Sequence, residues 1–234
     1  MPKQTRLSED ASIYQQRQEL TEKEKLKDMS HKGKLAYLWE YYKVHALAVL
    51  LVIGFAVYII HSIVTPKVET ELYAAIINNT ISDEIWEQYQ TEVSDYLKLD
   101  PQRQDVILNR GFYLNGDTEY ALNMQTALVA YVSAGDVDLM IAPESQFKQY
   151  TNNGFNDKLY DNLPTDLYSE LTDYLYVTAT EDDPEENAYG IYLTDTKLFS
   201  EYADNSDPYI LGIIVNSKHK ENAIEFIRML FHQS

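Results

Sequence analysis

The sequence predicts an α/β protein: one N-terminal single transmembrane helix, then one extracytoplasmic three-layer lobe with a mostly parallel sheet. Three observations carry that expectation. Ala46 to Val64 is an unbroken 19-residue run without Lys, Arg, Asp or Glu. Beyond it, apolar runs of strand length alternate with segments whose apolar residues recur at three-and-four spacing, the order that yields strand–helix–strand crossovers. The chain has no cysteine, so an exported domain would be held by its core without disulfides. The expected divisions are a charged helical tail at 1–45, a span at 46–64 and an α/β domain at 67–234.

As a helix rising about 1.5 Å per residue, the 46–64 run reaches about 28 Å, close to the hydrocarbon thickness of a bilayer. Twelve of its residues are Leu, Ile, Val or Phe, and on an insertion scale they outweigh His61 and Ser62 near one end. Residues 1–45 hold nine basic against seven acidic residues, with Lys23, Lys25, Lys27, Lys32, Lys34 and Lys43 crowding the approach, whereas only Lys67 lies near the far end. The positive-inside rule then places the N-terminus in the cytoplasm and the C-terminal domain outside. Tyr37, Trp39, Tyr41 and Tyr42 stand where an aromatic belt belongs, and Pro66 is expected to stop the helix. A cleaved signal peptide fits poorly: the n-region is too long, the apolar run is too long and no A-x-A site follows. A buried helix of a soluble domain is the remaining alternative to a signal anchor. The tail's last third is amphipathic, which suits the inner interface or a partner helix, and equally a plain basic flank.

Charge divides at the span. The tail is near +2, and everything from Ala46 onward, ten basic against thirty acidic residues, is −20. A surface that acidic repels nucleic acid and anionic headgroups, so neither is expected as a partner of the outer domain. Simple solubility explains the acidity as well as a basic partner does.

In the outer domain, Glu71 to Asn78 is a mostly apolar run, readable as a buried strand. Ser82 suits an N-cap, with Asp83 and Glu84 in the first turn where the helix dipole favours acids. Ile85, Trp86, Tyr89, Val93, Tyr96 and Leu97 form one apolar face, and Asp100-Pro101 is expected to end that helix. A second strand covers Asp105 to Leu108. A helix follows from Thr118 to Ala134, with Met124, Ala127, Leu128 and Tyr131 inward and Gly135 as its C-terminal cap. Val137 to Ala142 is a third strand, and strands so spaced imply parallel pairing with right-handed crossovers. Phe147 to Tyr150 and Leu167 to Leu175 are read as helices, Tyr189 to Leu193 and Tyr209 to Val215 as strands. A last helix, capped near Asn216 or Ser217, carries Ala223, Phe226, Ile227, Leu230 and Phe231 inward.

Thr126 to Pro164, TALVAYVSAGDVDLMIAPESQFKQYTNNGFNDKLYDNLP, resembles extracellular solute-binding proteins of the type II periplasmic-binding class. In those a helix leads through Ala-Gly-Asp to a strand. The tail PYILGIIVNSKHKENAIEFIRMLF, Pro208 to Phe231, looks like their return strand and the helix that packs on it. The two matches cover about a quarter of the chain and are patterns of packing. The resemblance implies a periplasmic-binding-protein-like lobe, extracytoplasmic placement and a transport setting, with ABC-transporter subunits as partners. Two departures stand against a full capture function. Only Thr165 to Tyr209 is available for the second lobe that encloses a ligand, and a transmembrane anchor replaces the usual lipid one.

In open parallel sheets, ligands meet loops at the carboxyl ends of strands. Those loops hold Asn78, Asn79 and Thr80, then Asn109 and Arg110, then Pro143, Glu144 and Ser145. Amides, hydroxyls and one Arg suit a small polar solute such as a sugar or peptide terminus; turn-making and helix capping explain the same residues. Tyr89, Tyr96 and Tyr131 are assigned to core packing, and Tyr168, Tyr174, Tyr176, Tyr189 and Tyr192 are left for a contact surface. The candidate ligand-binding set is Asn78, Asn79, Asn109, Arg110, Glu144, Ser145 and Tyr189.

The five histidines show no ligand spacing, and the acids at 181–186 lack the oxygen spacing and glycine of a calcium loop. No nucleophile elbow, phosphate-binding glycine loop or zinc-protease helix occurs. The expectation is no enzyme activity, no metal and no cofactor. Three functions remain: a non-enzymatic accessory subunit of a bacterial membrane assembly, an anchored solute receptor (including a homodimer whose two lobes make the cleft), and a sensor signalling through its tail.

Overall fold

The computed structural model describes Thr21, Lys27 and residues 29–64, 67–116, 118–204 and 206–232. Lys23, Lys25 and Pro66, and with them part of the expected basic flank and the helix stop, lie outside the described residues. The chain divides into two compact units, Met1–Thr65 and Pro66–Ser234.

Among its described residues, the first unit has the long helix α1 (His31–Val64). Within it, Tyr42–Val64 has mean hydropathy 2.6 and no buried residue. Leu47, Leu51, Phe55, Ile60 and Ile63 are all exposed, so the segment is apolar on every side. At about 1.5 Å per residue, it is long and apolar enough to cross a bilayer. The expected span began at Ala46; the helix runs without a break from His31, so the last part of the expected tail is helical.

The second unit is a six-stranded sheet: β1 (Glu69–Ile77), β2 (Gln104–Phe112), β3 (Leu139–Pro143), β4 (Leu175–Thr178), β5 (Asn187–Tyr192) and β6 (Tyr209–Ile213). Its order is β2-β1-β3-β6-β5-β4. The pairings of β1 with β2 and with β3 are parallel, whereas β3–β6, β6–β5 and β5–β4 are antiparallel. Strands β2, β1, β3 and β5 therefore run one way, and β6 and β4 the other. The parallel crossovers read from the alternation of elements hold for the first three strands. The C-terminal half departs from them because β6 enters the middle of the sheet from its far end, and β4 and β5 extend it as a hairpin. Thr165 to Tyr209 thus enlarges the same sheet.

Helices cover both faces. Leu72, Ala74 and Ile76 of β1 point to one side, where α2 (Asp83–Tyr96) supplies Trp86, Tyr89 and Val93, and α8 (Lys220–His232) supplies Ala223, Phe226, Ile227 and Leu230. Short helices α5 (Leu159–Asn162), α6 (Thr165–Glu170) and α7 (Lys197–Tyr202) add Leu159, Leu167, Leu198 and Phe199 to that core. On the other side, Tyr73, Ala75 and Ile77 face α3 (Glu119–Ala134), through Leu128 and Val132, and α4 (Glu144–Asn152), through Phe147 and Tyr150. The alternation along β1 is the period-two pattern of a strand buried on both faces.

Local signals were read unevenly. Thr118 caps α3, its side chain accepting from the Ala121 amide at 3.1 Å, and Gly135 closes the helix at φ 67°, the left-handed geometry glycine takes without strain. Ser82 precedes α2 without a side-chain capping bond, and α2 ends at Tyr96, with Lys98 left-handed at φ 57°, before Asp100-Pro101 is reached. The helix expected over Leu167–Leu175 splits into α6, a 3-10 turn (Thr172–Tyr174) and β4.

Two tyrosine assignments are corrected. Tyr96 and Tyr131 are 41% and 43% exposed: Tyr131 lies at the margin of the core, stacked on Tyr73 at 5.9 Å and edge-on to Phe112 at 6.4 Å, and the Tyr96 hydroxyl reaches Glu225. Tyr176 and Tyr189, expected on a contact surface, are buried.

Candidate functional site

Strands β1, β2 and β3 end at the same edge, and β6 begins there, since Pro143 pairs with Tyr209. This edge collects most of the expected polar residues. Asn78 leaves β1 at φ 49°, a conformation Asn tolerates better than most residues. Its Oδ1 accepts from the Leu114 amide at 2.8 Å, its Nδ2 donates to Asn115 at 2.9 Å, and its carbonyl accepts the Tyr209 hydroxyl. Burial raises the Tyr209 pKa, which keeps that hydroxyl a donor.

Asn79 turns the chain into α2. Its Oδ1 accepts from the Ile81 amide at 3.1 Å and from Trp86 Nε1 at 2.7 Å, and its Nδ2 donates to the Ile81 carbonyl at 2.6 Å. Thr80 accepts from the Asp204 amide, and Ser145 donates its hydroxyl and its amide to the Asp207 carboxylate. Beside Ser145, Glu144 opens α4 and lies against Tyr192. Burial first, and then this carboxylate, push the Tyr192 phenol up to about 12. Tyr176 is raised by burial and, less strongly, by the same carboxylate.

The remaining candidates do not join this edge. Asn109 and Arg110 are successive residues of β2 and so face opposite sides of the sheet. Asn109 donates to the Tyr73 hydroxyl at 2.6 Å and accepts from the Gly111 amide. Arg110 pairs with Asp83 in the first turn of α2 at 2.9 Å. Tyr189 lies toward the other end of the sheet, where its hydroxyl donates to Asp183 at 3.0 Å. Asp183 is also bonded to Lys158 at 2.6 Å, and that ammonium holds its carboxyl below the usual range.

The edge therefore contains Asn78, Asn79, Glu144 and Ser145 from the expected set, joined by Asn115, Asp204, Asp207 and Tyr209. Asn115-Gly116 was readable as a turn; the acids before Pro208 carried no signal of their own. Nearly every amide and hydroxyl here has a partner within the fold. Glu144 is hydrogen-bonded to the Tyr192 phenol beside Tyr176, and the Ser145 hydroxyl is held directly by the Asp207 carboxylate, without the imidazole that activates a serine. Among the described residues, no group of three or more His, Asp or Glu is placed to hold a metal ion.

A second polar cluster sits at the opposite end of β3. Asp138 is 1% exposed. Its carboxylate accepts from the Tyr73 amide at 2.9 Å, the Ser217 hydroxyl at 2.7 Å and the His219 amide at 3.1 Å, with His219 Nδ1 at 3.2 Å. A cleft of about 250 Å³ beside it is lined by Thr70, Tyr73, Asp136, Lys218 and His219 among others. Ser, His and Asp meet here, but the serine donates to the carboxylate. A nucleophilic serine needs its hydroxyl on the imidazole, so the cluster is a brace that ties β1, β3 and the start of α8 together.

Compared with protein-family models, with curated proteins and with solved structures, the chain matches none.

Proposed function

We propose that this chain is a non-enzymatic accessory or interaction subunit of a bacterial membrane assembly. Tyr42–Val64 anchors it in the cell membrane with the N-terminus in the cytoplasm, and the α/β domain docks partner proteins outside. The resemblance to solute-binding proteins favours ABC-transporter subunits as those partners. Docking, not turnover, is its mode of action.

One observation carries this function above the others. The polar side chains at the carboxyl edge of the sheet, where a ligand would be read, are bonded to one another and to the backbone: Asn79 to Trp86, Asn78 to Asn115, Ser145 to Asp207. Groups already satisfied within the fold gain little from a solute, because exchanging one hydrogen bond for another changes the free energy slightly. The absence of a second sheet in the described residues leaves this edge without an opposing wall.

The test is thermal unfolding of the full-length protein in mild detergent against a broad panel of sugars, amino acids and short peptides. A ligand at 100 times its Kd stabilises by about 2.7 kcal/mol, a shift easily seen. The expected result is a flat response. A reproducible rise in Tm with one solute class overturns the docking function and makes the protein an anchored receptor.

A further inference from the structure

We infer that the outer face of α3 is the contact through which two copies of this chain associate, antiparallel and about a two-fold axis. The domain is strongly acidic, and α2 alone carries five acids and no base. Helix α3 spans sixteen residues with one charged side chain, Glu119. Only Ala121, Leu128 and Val132 of the helix are buried. Its opposite side presents Leu122, Thr126, Val129 and Ser133, all exposed, with Leu122 at 60% and Val129 at 40%.

The spacing of those four residues, four then three then four, is the seam of a helix pair. The seam is also self-complementary. With the axis between Ala127 and Leu128, Leu122 of one copy faces Ser133 of the second, and Thr126 faces Val129. A large side chain thus meets a small one, and two β-branched residues meet at the centre. The Thr126 hydroxyl is bonded back to the Leu122 carbonyl at 2.8 Å, which leaves its methyl group for the contact.

Charge closes the match. At the C-terminal end of α3, Lys218 donates to the Ala134 carbonyl at 3.2 Å and pairs with Asp136 at 3.1 Å, while remaining 57% exposed. Antiparallel pairing sets Glu119 of the other copy opposite Asp136, with the Lys218 ammonium between the two carboxylates, and opposes the two helix dipoles favourably. A basic partner would be drawn to the acidic face of α2. The near-neutral face of α3 is where two molecules of like charge can meet. A seam about 24 Å long buries less than the roughly 800 Å² per partner of a stable complex, so the association is weak and concentration-dependent. It does not depend on what the domain docks elsewhere.

The chain has no native cysteine, so one introduced thiol reports proximity without background. Full-length Thr126→Cys is treated in its membrane with a short bis-maleimide, beside Thr91→Cys on the exposed side of α2 as control. Both threonines bond back to their own helix, so the two substitutions perturb alike. The expected product is a covalent homodimer from Thr126→Cys well above the Thr91→Cys level. Adding Leu122→Glu should lower it about tenfold, equivalent to roughly 1.4 kcal/mol, with the melting temperature unchanged. Val129→Lys should do the same. Equal yields at the two positions, cross-linking to a different protein, or a yield indifferent to both charge substitutions overturns the inference.

Discussion

Asn79 shows at a single residue how a chemically suitable side chain is committed to the fold. Trp86 is fully buried, and its indole N–H has Asn79 as its acceptor. Asn79→Ala should lower stability by about 1–3 kcal/mol, the penalty for stranding a buried donor. Urea unfolding of the full chain in detergent would measure it. Asn79→Asp keeps an acceptor but loses the donor to Ile81, and should fall between. Tyrosines set the alkaline limit by the same logic. Burial raises the folded pKa of Tyr73, Tyr176, Tyr192 and Tyr209, Tyr192 to about 12. A raised pKa contributes stability that is complete below the unfolded value near 10 and is lost as pH rises through the folded one. Tyrosinate absorbance from these phenols should therefore appear only with loss of circular dichroism; complete tyrosine ionisation with circular dichroism intact would contradict the burial. Asn78, Asn79, Glu144 and Ser145 were legible as polar residues of loops at the carboxyl edge of the sheet. Their partners were not, because Ser145 meets Asp207 and Asn78 meets Asn115 across long stretches of chain, and no local pattern encodes such pairs.

Between elements, the seating of α4 on the sheet leaves no room for a side chain beneath it. Phe147 is fully buried, edge-on to Tyr176 at 5.5 Å, and lies over Gly190 of β5 and Gly212 of β6. A Cβ on Gly212 would stand 2.7 Å from the Phe147 ring, and one on Gly190 would also meet Ile210 at 2.4 Å. Gly212→Ala should destabilise by about 1–3 kcal/mol through overpacking. Combining it with Phe147→Leu should recover part of that loss in a double-mutant cycle; strict additivity would show that the ring is not the obstacle. Most elements were legible because their apolar periodicity was strong. β4 was not, because Leu167, Leu171 and Leu175 share the four-residue spacing of a helix. The first two do pack inward from α6 and the turn after it, while Leu175 begins a strand whose register is set by pairing with β5.

For the whole molecule, the apolar helix at Tyr42–Val64 and the mixed α/β character of the segment after it were the most legible features, since both rest on composition and periodicity. The antiparallel half of the sheet was not legible, because strand order is fixed by distant pairings and not by local sequence. The proposed function draws on the two units together: an exposed apolar helix long enough to cross a bilayer, and a domain whose polar edge is internally bonded. The most direct measurement is to solubilise the full-length protein from its native membranes in mild detergent and identify its companions by quantitative mass spectrometry. Stoichiometric recovery of membrane-assembly subunits, transporter components foremost, is the predicted result. Recovery of the chain alone, as monomer or homodimer, would contradict the accessory function.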